Sequence, residues 1–330
     1  MSTTRTLIAD LGPAELVEGV FAIQNCQLGQ TKNGKPFIKC LLADRSGRTP
    51  GRMWNATEEL FTQLPTDGFV HIEGQTQPYQ GEMQIIINRI HNHEPTASEL
   101  ADLLPSTEHD IDEMFAAVLK LLGTLTNPSL AALRDRYLED GELMERFCRA
   151  PAAMTLHHAY LGGLLEHTLS VMRLADNALP NYPELNRDLV LFGLFIHDLG
   201  KCAELSWDAG FGYTEDGQLV GHIARGVVWL NDKARACNDP DINQPIPKRL
   251  LNTLEHIILS HHGQPDFGGL KIPATPEAIA ISLFDNADAK LNLAIAAAKR
   301  DQLKPDSLQG DFTEKIWALE TRIFRPDPTL

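Results

Sequence analysis

Residues 189–201 read LVLFGLFIHDLGK, an apolar run that stops at His197-Asp198 and continues into Gly200 and Lys201. The run is far too short to span a bilayer. Adjacent His and Asp at the last turn of an apolar helix can offer an imidazole nitrogen and a carboxylate oxygen to one cation. The stretch therefore predicts a buried helix that ends in part of a metal site.

Two more polar residues lie inside runs that otherwise look buried. Leucines precede His167, and Leu283 and Phe284 precede Asp285. An isolated carboxylate in such surroundings costs much free energy unless it is paired or metal-bound. Taken singly, His167 is more typical of a satisfied core or surface histidine, and Asp285 of a salt-bridge partner. The joint pattern His…His-Asp…Asp is more specific than its parts and favours a metal site.

From Asp110 onward the chain has the periodicity of helices. Apolar residues recur at helical spacing between Ile111 and Leu122. The same pattern predicts helices over 129–137, 141–149, 164–177, 187–199, 223–237, 248–260 and 277–299. Gly200 and Gly263 follow two of these helices and are predicted to adopt positive φ.

Residues 15–90 have the pattern of a small β-domain, in which Lys32-Asn33-Gly34-Lys35 is a strong hairpin signal. Five predicted strands, with a short helix after the third, match an oligonucleotide/oligosaccharide-binding (OB) β-barrel. Another small β-barrel is the open alternative. The polar segment 91–105 is predicted to be a linker. The predicted fold class is multidomain, β plus all-α: an OB domain (1–94), a linker and helical connector (95–150), an all-helical metal-dependent domain (151–310), and a C-terminal helix and tail (311–330).

The first hairpins of the predicted barrel are rich in basic residues. Between residues 30 and 55, Asp44 is the only acid. OB domains use basic and aromatic side chains together to hold single strands. The alternative is that the aromatic residues belong to the core and the charges form a solvated face. The predicted nucleic-acid-binding residues are Lys32, Lys35, Phe37, Lys39, Arg45, Arg48, Arg52, Trp54 and Tyr79.

The bulk composition limits the class of protein. A formal net charge of −15 argues against a nonspecific nucleic-acid binder, so a local patch or bound cations must attract phosphate. The five cysteines, an odd number without a CxxC pair, argue against a disulfide framework or a thiolate zinc site. Residues 1–20 lack the apolar core of a signal peptide. A cytoplasmic protein with reduced thiols and no membrane span is predicted.

The strings HHAY at 157–160, GGLLEHT at 162–168, HDLGK at 197–201 and SHHG at 260–263 carry a resemblance to a known family. Together they resemble the YhaM family of 3′→5′ exoribonucleases, in which an OB domain precedes an HD phosphohydrolase domain. The resemblance implies that the metal ligands are His167, His197, Asp198, His222, His261 and Asp285. It further implies that the catalytic residues are Asp198, Lys201 and His262, with Lys201 facing the scissile phosphate.

The paired histidines leave choices open. Adjacent residues on a helix point about 100° apart, so His261 is preferred as the ligand and His262 as a substrate contact or a partner of the ligands. His157 and His158 are candidates to line the same pocket. Their alternative role is helix capping and packing near the start of the domain.

The resemblance implies a metal-dependent exoribonuclease acting on single-stranded RNA, with single-stranded DNA as a further candidate. The implied cofactor is a divalent metal, as two ions, that activates water. Mn²⁺ is expected, and Co²⁺, Fe²⁺ and Mg²⁺ are alternatives. A homo-oligomer is also open.

Two other functions stay open. One is an HD phosphohydrolase of small nucleotides (a nucleoside triphosphate, alarmone or cyclic nucleotide) with a regulatory OB domain. The other is a non-catalytic nucleic-acid-binding protein. The Gly-Tyr-Pro string of cyclic-dinucleotide phosphodiesterases does not follow His262, which disfavours that branch.

Overall fold

A computed structural model describes residues 6–31, 33–66, 68–79, 82–154, 158–207, 211–238, 244–265, 268–300 and 311–326. The chain divides into two compact units. The first comprises Met1–Ser106 with Ser206–Gly212, and the second comprises Thr107–Leu205 with Tyr213–Leu330.

The first unit is built on a closed barrel of five strands in the order β1-β2-β3-β5-β4. The strands are β1 (Leu16–Gln30), β2 (Pro36–Asp44), β3 (Gly47–Trp54), β4 (Gly68–Tyr79) and β5 (Glu82–Asn92). Helix α1 (Glu58–Gln63) connects β3 to β4. Neighbouring strands pair antiparallel, except that β3 and β5 pair in parallel. This strand order and helix position confirm the predicted OB barrel.

The barrel interior follows the period-two alternation of its strands. In β2, Ile38, Cys40 and Leu42 point inward and are buried. They pack with Phe21, Ile23, Val70, Ile72 and Ile85. Burying each large side chain contributes about 1.5–3 kcal/mol. Residues 37, 39 and 41 of β2 consequently point away from the barrel interior, and Lys39 is exposed.

The segment predicted as a linker, residues 91–105, contains helix α2 (Ala97–Leu103). Thr96 is its N-cap and Glu99 completes a capping box, with each side chain accepting a hydrogen bond from the other residue's main-chain N–H. This reciprocal cap satisfies two main-chain donors and stabilises a helix too short to show clear periodicity. The linker interpretation missed this signal.

The second unit is helical and contains α3 (Ile111–Leu122), α4 (Pro128–Leu138), α5 (Gly141–Arg149), α6 (Gly163–Ala178), α7 (Arg187–Ile196), α8 (Lys201–Glu204), α9 (Glu215–Leu219), α10 (His222–Ala236), α11 (Lys248–Ser260) and α12 (Pro276–Arg300). Two short strands, β6 (Leu205–Ser206) and β7 (Gly212–Tyr213), pair between α8 and α9. Every longer helix predicted from residue 111 onward is present. Within the described ranges, no helix is long and apolar enough to cross a membrane.

Helix α7 is the centre of this unit. Every residue from Leu189 to Ile196 is buried. Phe192 and Phe195 meet Tyr137 of α4 with ring centroids 6.2 and 6.0 Å apart, and Phe195 also meets Phe147 of α5 edge-on at 5.9 Å. Aromatic pairs in this geometry add stabilisation beyond their buried area. The rigid packing holds the end of α7, where His197 begins the HD string.

The two glycines predicted to have positive φ differ. Gly263 has φ of 79°, as predicted. The prediction for Gly200 is wrong, since its φ is −57°. Gly200 is instead required by a close approach: a Cβ there would lie 2.0 Å from the main-chain oxygen of His222. The missing side chain lets the start of α10 pack against the HD string.

Candidate metal centre

Five helices of the second unit bring together all six predicted metal ligands. His167 lies in α6, His197 caps α7 and is followed by Asp198, and His222 begins α10. His261 caps α11 and Asp285 lies in α12. The predicted ligands fall into two groups of donor atoms: a first donor cluster of His167, His197 and Asp285, and a second donor cluster of Asp198, His222, His261 and His262. A third group, His158, His167 and Asp288, lies behind the first donor cluster.

In the first donor cluster, the Nε2 atoms of His167 and His197 lie 3.4 Å apart. The Oδ1 atom of Asp285 is 3.3 Å from Nε2 of His167 and 3.9 Å from Nε2 of His197. Ligand atoms about 2.1 Å from one ion would lie roughly 3.0–3.4 Å from each other. The first donor cluster therefore has the spacing and donor chemistry for a divalent ion.

The second donor cluster contains atoms that lack ordinary partners. Oδ1 of Asp198 and Nε2 of His222 and His261 are buried, and none has a hydrogen-bond partner among the described residues. Oδ1 of Asp198 lies 3.4 Å from Nε2 of His261 and 3.7 Å from Nε2 of His222. Leaving three buried polar atoms unpaired costs free energy unless another group satisfies them. A divalent ion fits this arrangement.

Asp198 belongs to both clusters. Its Oδ1 faces the second donor cluster, and its Oδ2 lies 3.4 Å from Nε2 of His197 and 3.8 Å from Nε2 of His167. The same Oδ2 is 2.6 Å from the ammonium of Lys201. The structure therefore brings Lys201 to the shared carboxylate, where it supplies a positive charge at the junction of the clusters.

Each of the four predicted histidine ligands is held in orientation by a contact to its Nδ1 atom. Nδ1 of His167 contacts Oδ2 of Asp288 at 2.8 Å, and Nδ1 of His222 contacts Glu204 at 2.9 Å. Nδ1 of His197 and of His261 instead lie 2.7 and 2.8 Å from the main-chain oxygens of Leu194 and Ile258. A donating Nδ1–H leaves the Nε2 lone pair free for a metal. Asp288 and Glu204 were not predicted from the sequence, in which each is marked only as an acidic residue close to one of the motifs.

Electrostatics at the centre favour positive charge in the first donor cluster. Burial lowers the pKa of His167, but hydrogen bonds to Asp285 and Asp288 outweigh it and raise the pKa to about 9. Burial raises the pKa of Asp198, yet the charges of Lys201 and His197 hold it well below its usual range. In the second donor cluster, burial lowers the pKa of His261 to about 4, so its imidazole is neutral at neutral pH. Neutral imidazole is the form that binds metals.

Both members of the His261-His262 pair reach the second donor cluster. A ring nitrogen of His262 lies within 4.8 Å of the other three donor atoms. Its ring centroid is 4.3 Å from that of His261, with the planes 83° apart. Because α11 ends at Ser260, His262 lies beyond the helix and the expected 100° offset does not govern its direction. His262 therefore has the position of a further donor.

Of the two candidate pocket histidines, His158 is buried against the back of the first donor cluster. Its Nε2 lies 3.0 Å from Oδ2 of Asp288, and its Nδ1 lies 2.8 Å from the Tyr160 hydroxyl. His158 therefore contacts Asp288, with which it also forms the third group of donor atoms. His157 lies outside the described residues.

The barrel brings several predicted nucleic-acid residues onto one outward face. Phe37 pairs in register with Trp54, and Lys39 pairs with Arg52 on the neighbouring strand. The rings of Phe37 and Trp54 have centroids 5.3 Å apart. The guanidinium of Arg52 lies 5.9 Å from the Trp54 ring centroid and 5.3 Å from that of Tyr79. These five residues, Phe37, Lys39, Arg52, Trp54 and Tyr79, form the aromatic–basic face.

The other basic residues lie at its margins. Arg48 is exposed and pairs with Ala43 in the β2–β3 ladder, on the same outward side. Lys35 is exposed in the β1–β2 turn. Arg45 lies in the β2–β3 turn with its guanidinium 3.5 Å from Asp102. Lys32 lies outside the described residues.

Comparison with known proteins decides the family. A "3'-5' exoribonuclease YhaM" from Geobacillus sp. (strain WCH70) is 32% identical over 311 residues, which is 94% of this chain and 91% of the relative. Another protein of that name, from Bacillus licheniformis, is 32% identical over 314 residues, 94% of each chain. The chain belongs to the YhaM family.

The HD domain family matches residues 164–290 of this YhaM family member, a range that contains all six predicted ligands. Both findings confirm the predicted recognition and identify the chain as a hydrolase. Among solved structures, the second OB-fold domain of replication protein A from Methanococcus maripaludis covers 28% of this chain and 96% of its own. It has 18% identity to this chain and a TM-score of 0.21.

Proposed function

We propose that this protein is a metal-dependent 3′→5′ exoribonuclease acting on single-stranded RNA. The observation that carries the proposal is the convergence of three buried, unpartnered donor atoms from Asp198, His222 and His261 inside an HD domain. Such atoms are what a catalytic cation requires. Relatives named as 3'-5' exoribonucleases cover 94% of the chain, which supports RNA as substrate and the 3′ end as the start.

The residues that would hold two divalent ions are His167, His197 and Asp285 for one ion and His222 and His261 for the other, with Asp198 shared between them. When bound, divalent ions supply Lewis-acid activation of water and neutralise charge on phosphate oxygens. Imidazole and carboxylate donors together suit Mn²⁺, and also Co²⁺ and Fe²⁺, whereas Mg²⁺ favours oxygen donors. We expect Mn²⁺ in use.

Lys201 and His262 are the proposed phosphate-directed residues. Lys201 holds Oδ2 of Asp198 at 2.6 Å, and opposing charges keep its pKa raised despite the lowering effect of burial. Its ammonium therefore stays charged and can offset negative charge that develops on the phosphate. His262 is half-buried, within reach of the second donor cluster.

The proposed role of the barrel is to hold the strand. Exposed aromatic rings of Trp54 and Tyr79 can stack on bases, and Lys39 and Arg52 can contact phosphates. Tethering this surface to the hydrolase raises the local concentration of the RNA at the metal centre. A long strand that engages both units should therefore be degraded faster than a dinucleotide.

We propose the cytoplasm as the compartment. All five cysteines are free thiols, and four of them are buried. Reduced thiols are the normal state of cysteine there.

The deciding experiment is a time course on 5′-labelled single-stranded RNA with added Mn²⁺, resolved by length. The expected result is a ladder that shortens from the 3′ end and is absent with the Asp198→Ala protein. A single-stranded DNA of the same sequence, run in parallel, tests whether the 2′-hydroxyl is required. Intact RNA together with turnover of a nucleoside triphosphate would overturn the proposal in favour of a small-nucleotide phosphohydrolase.

A further inference from the structure

The four histidines predicted as ligands, His167, His197, His222 and His261, differ in the group that contacts Nδ1. Among these four, each donor cluster has one histidine whose Nδ1 contacts a carboxylate and one whose Nδ1 contacts a main-chain carbonyl. Nδ1 of His167 lies 2.8 Å from Asp288, and Nδ1 of His222 lies 2.9 Å from Glu204. A main-chain carbonyl is present whatever the side chain, whereas a carboxylate is lost when its residue is substituted. The contact behind His167 and the contact behind His222 can therefore each be removed by a single substitution.

Asp288 is itself fixed in place. Its side chain is 11% exposed, and its Oδ2 contacts Nε2 of His158 at 3.0 Å as well as Nδ1 of His167. The hydroxyl of Ser170, on the same helix as His167, donates to its Oδ1. Contacts from three directions hold the carboxylate behind His167, so it constrains the ring plane as well as the tautomer.

Glu204 has a comparable position behind the second donor cluster. Its side chain is 14% exposed, and Oε1 accepts a hydrogen bond from the main-chain N–H of His222 at 3.2 Å. It therefore binds the start of α10 through both main chain and side chain. Glu204 ends α8, only a few residues after Asp198, so it connects the HD string to the histidine of the next helix.

We propose that Asp288 and Glu204 are positioning residues that set the affinities of the two ion sites separately, Asp288 for the first donor cluster and Glu204 for the second. The inference rests on the proposed function in one respect, that two divalent ions are bound. A carboxylate that accepts Nδ1–H fixes the tautomer, turns Nε2 toward the ion and raises its basicity. Each carboxylate contacts a histidine of one cluster only among the described residues, so each effect should be local.

The test uses the full chain and Mn²⁺. Equilibrium dialysis measures the two dissociation constants, and anomalous scattering from Mn²⁺-soaked crystals shows which site is occupied. Asp288→Asn is expected to weaken Mn²⁺ binding at the first site by about 10–100-fold and to leave the second site unchanged. Glu204→Gln is expected to weaken the second site by about 10–100-fold and to leave the first unchanged. The matched control is Asp188→Asn on α7, where the carboxylate accepts hydrogen bonds from Thr126 and Asn127 and touches no ligand. It should bind both ions as the wild type does.

Selective loss of one site in each variant supports the proposal. Equal loss of both sites in either variant, no loss in either, or a wild type that binds fewer than two ions overturns it. If Asp288→Asn does not fold, Ser170→Ala is used in its place. It removes the hydrogen bond from Ser170 to Asp288 and should weaken Mn²⁺ binding at the first site by roughly fivefold. Binding is measured without RNA, so a protein that binds two ions but leaves RNA intact would overturn the exoribonuclease and not this inference.

Discussion

The barrel and the helical unit present their candidate functional residues in opposite surroundings. On the aromatic–basic face, Trp54 is 43% exposed and Tyr79 is 48% exposed. In the metal centre, His167, His197 and His261 are at most 1% exposed. An exposed side chain is hydrated until a ligand binds. Its removal therefore leaves the other exposed residues able to bind the ligand. A buried ionic group is tolerated only with its partners, so its removal leaves them uncompensated.

Function should therefore fail in a different way in each unit. Loss of Asp198 from the metal centre should abolish chemistry, because its carboxylate lies between the two donor clusters. Loss of one side chain from the aromatic–basic face should weaken strand binding only by the free energy that its own contact contributes.

Replacing Asp198 with Ala removes the carboxylate shared by both donor clusters. Replacing an outer partner of a metal ligand typically costs about 10–100-fold in activity, so loss of a shared ligand should lower RNA hydrolysis by more than about 100-fold. Strand binding, measured by fluorescence anisotropy on a labelled RNA, should be unchanged. The control is Asp176→Ala. Asp176 lies on the same helix as His167, and its partly exposed carboxylate is paired with Arg187. Retained RNA hydrolysis by Asp198→Ala would contradict the expectation that loss of a buried group of the metal centre abolishes chemistry.

Adding Mn²⁺ to metal-free protein should stabilise the helical unit and not the barrel. An ion present at 100 times its dissociation constant contributes about 2.7 kcal/mol to the free energy of unfolding. Hydrogen exchange measured by mass spectrometry should slow in peptides from α6, α7 and α12 and stay unchanged in β1 to β5. The Asp198→Ala protein with the same Mn²⁺ is the control. Equal protection in both units would contradict separate roles.

Replacing Trp54 with Ala should remove one stacking surface. Stacking on one base contributes about 1–3 kcal/mol, so the dissociation constant for a long single-stranded RNA should rise roughly 5–100-fold. Hydrolysis of a dinucleotide should not change. Trp317→Ala, at an 81% exposed tryptophan of the helical unit, is the matched control. Loss of barrel folding in circular dichroism would instead identify Trp54 as a core residue.

The smallest effect is expected from Lys39→Ala. This exposed lysine lies beside Arg52 on the aromatic–basic face, and one lost phosphate contact should reduce the slope of log affinity against log salt by about 0.7. Arg45→Ala is the comparison, because its guanidinium is already 3.5 Å from Asp102. A larger slope change for Arg45 than for Lys39 would move the strand path to the β2–β3 turn.

Local signals in the sequence predicted most of the architecture. Apolar periodicity predicted the helix over 248–260 with its observed ends, Lys248–Ser260, and the Asn-Gly turn predicted the first hairpin. The short helix Ala97–Leu103 was missed because a capping box stabilises it and not an apolar stripe. Gly200 was misassigned because the reason for a glycine there is the main chain of His222, which is distant in sequence.

The sequence by itself determined which residues are the candidates for the chemistry, because residue type and motif spacing are local properties. The HD string, the single histidines and Asp285 are all visible in it directly. Only the tertiary structure decided how they work together. It assigned one oxygen of Asp198 to each donor cluster, and it placed Asp288 behind His167, 121 residues away along the chain. Such contacts arise when helices pack, and packing depends on the whole core and not on any one segment.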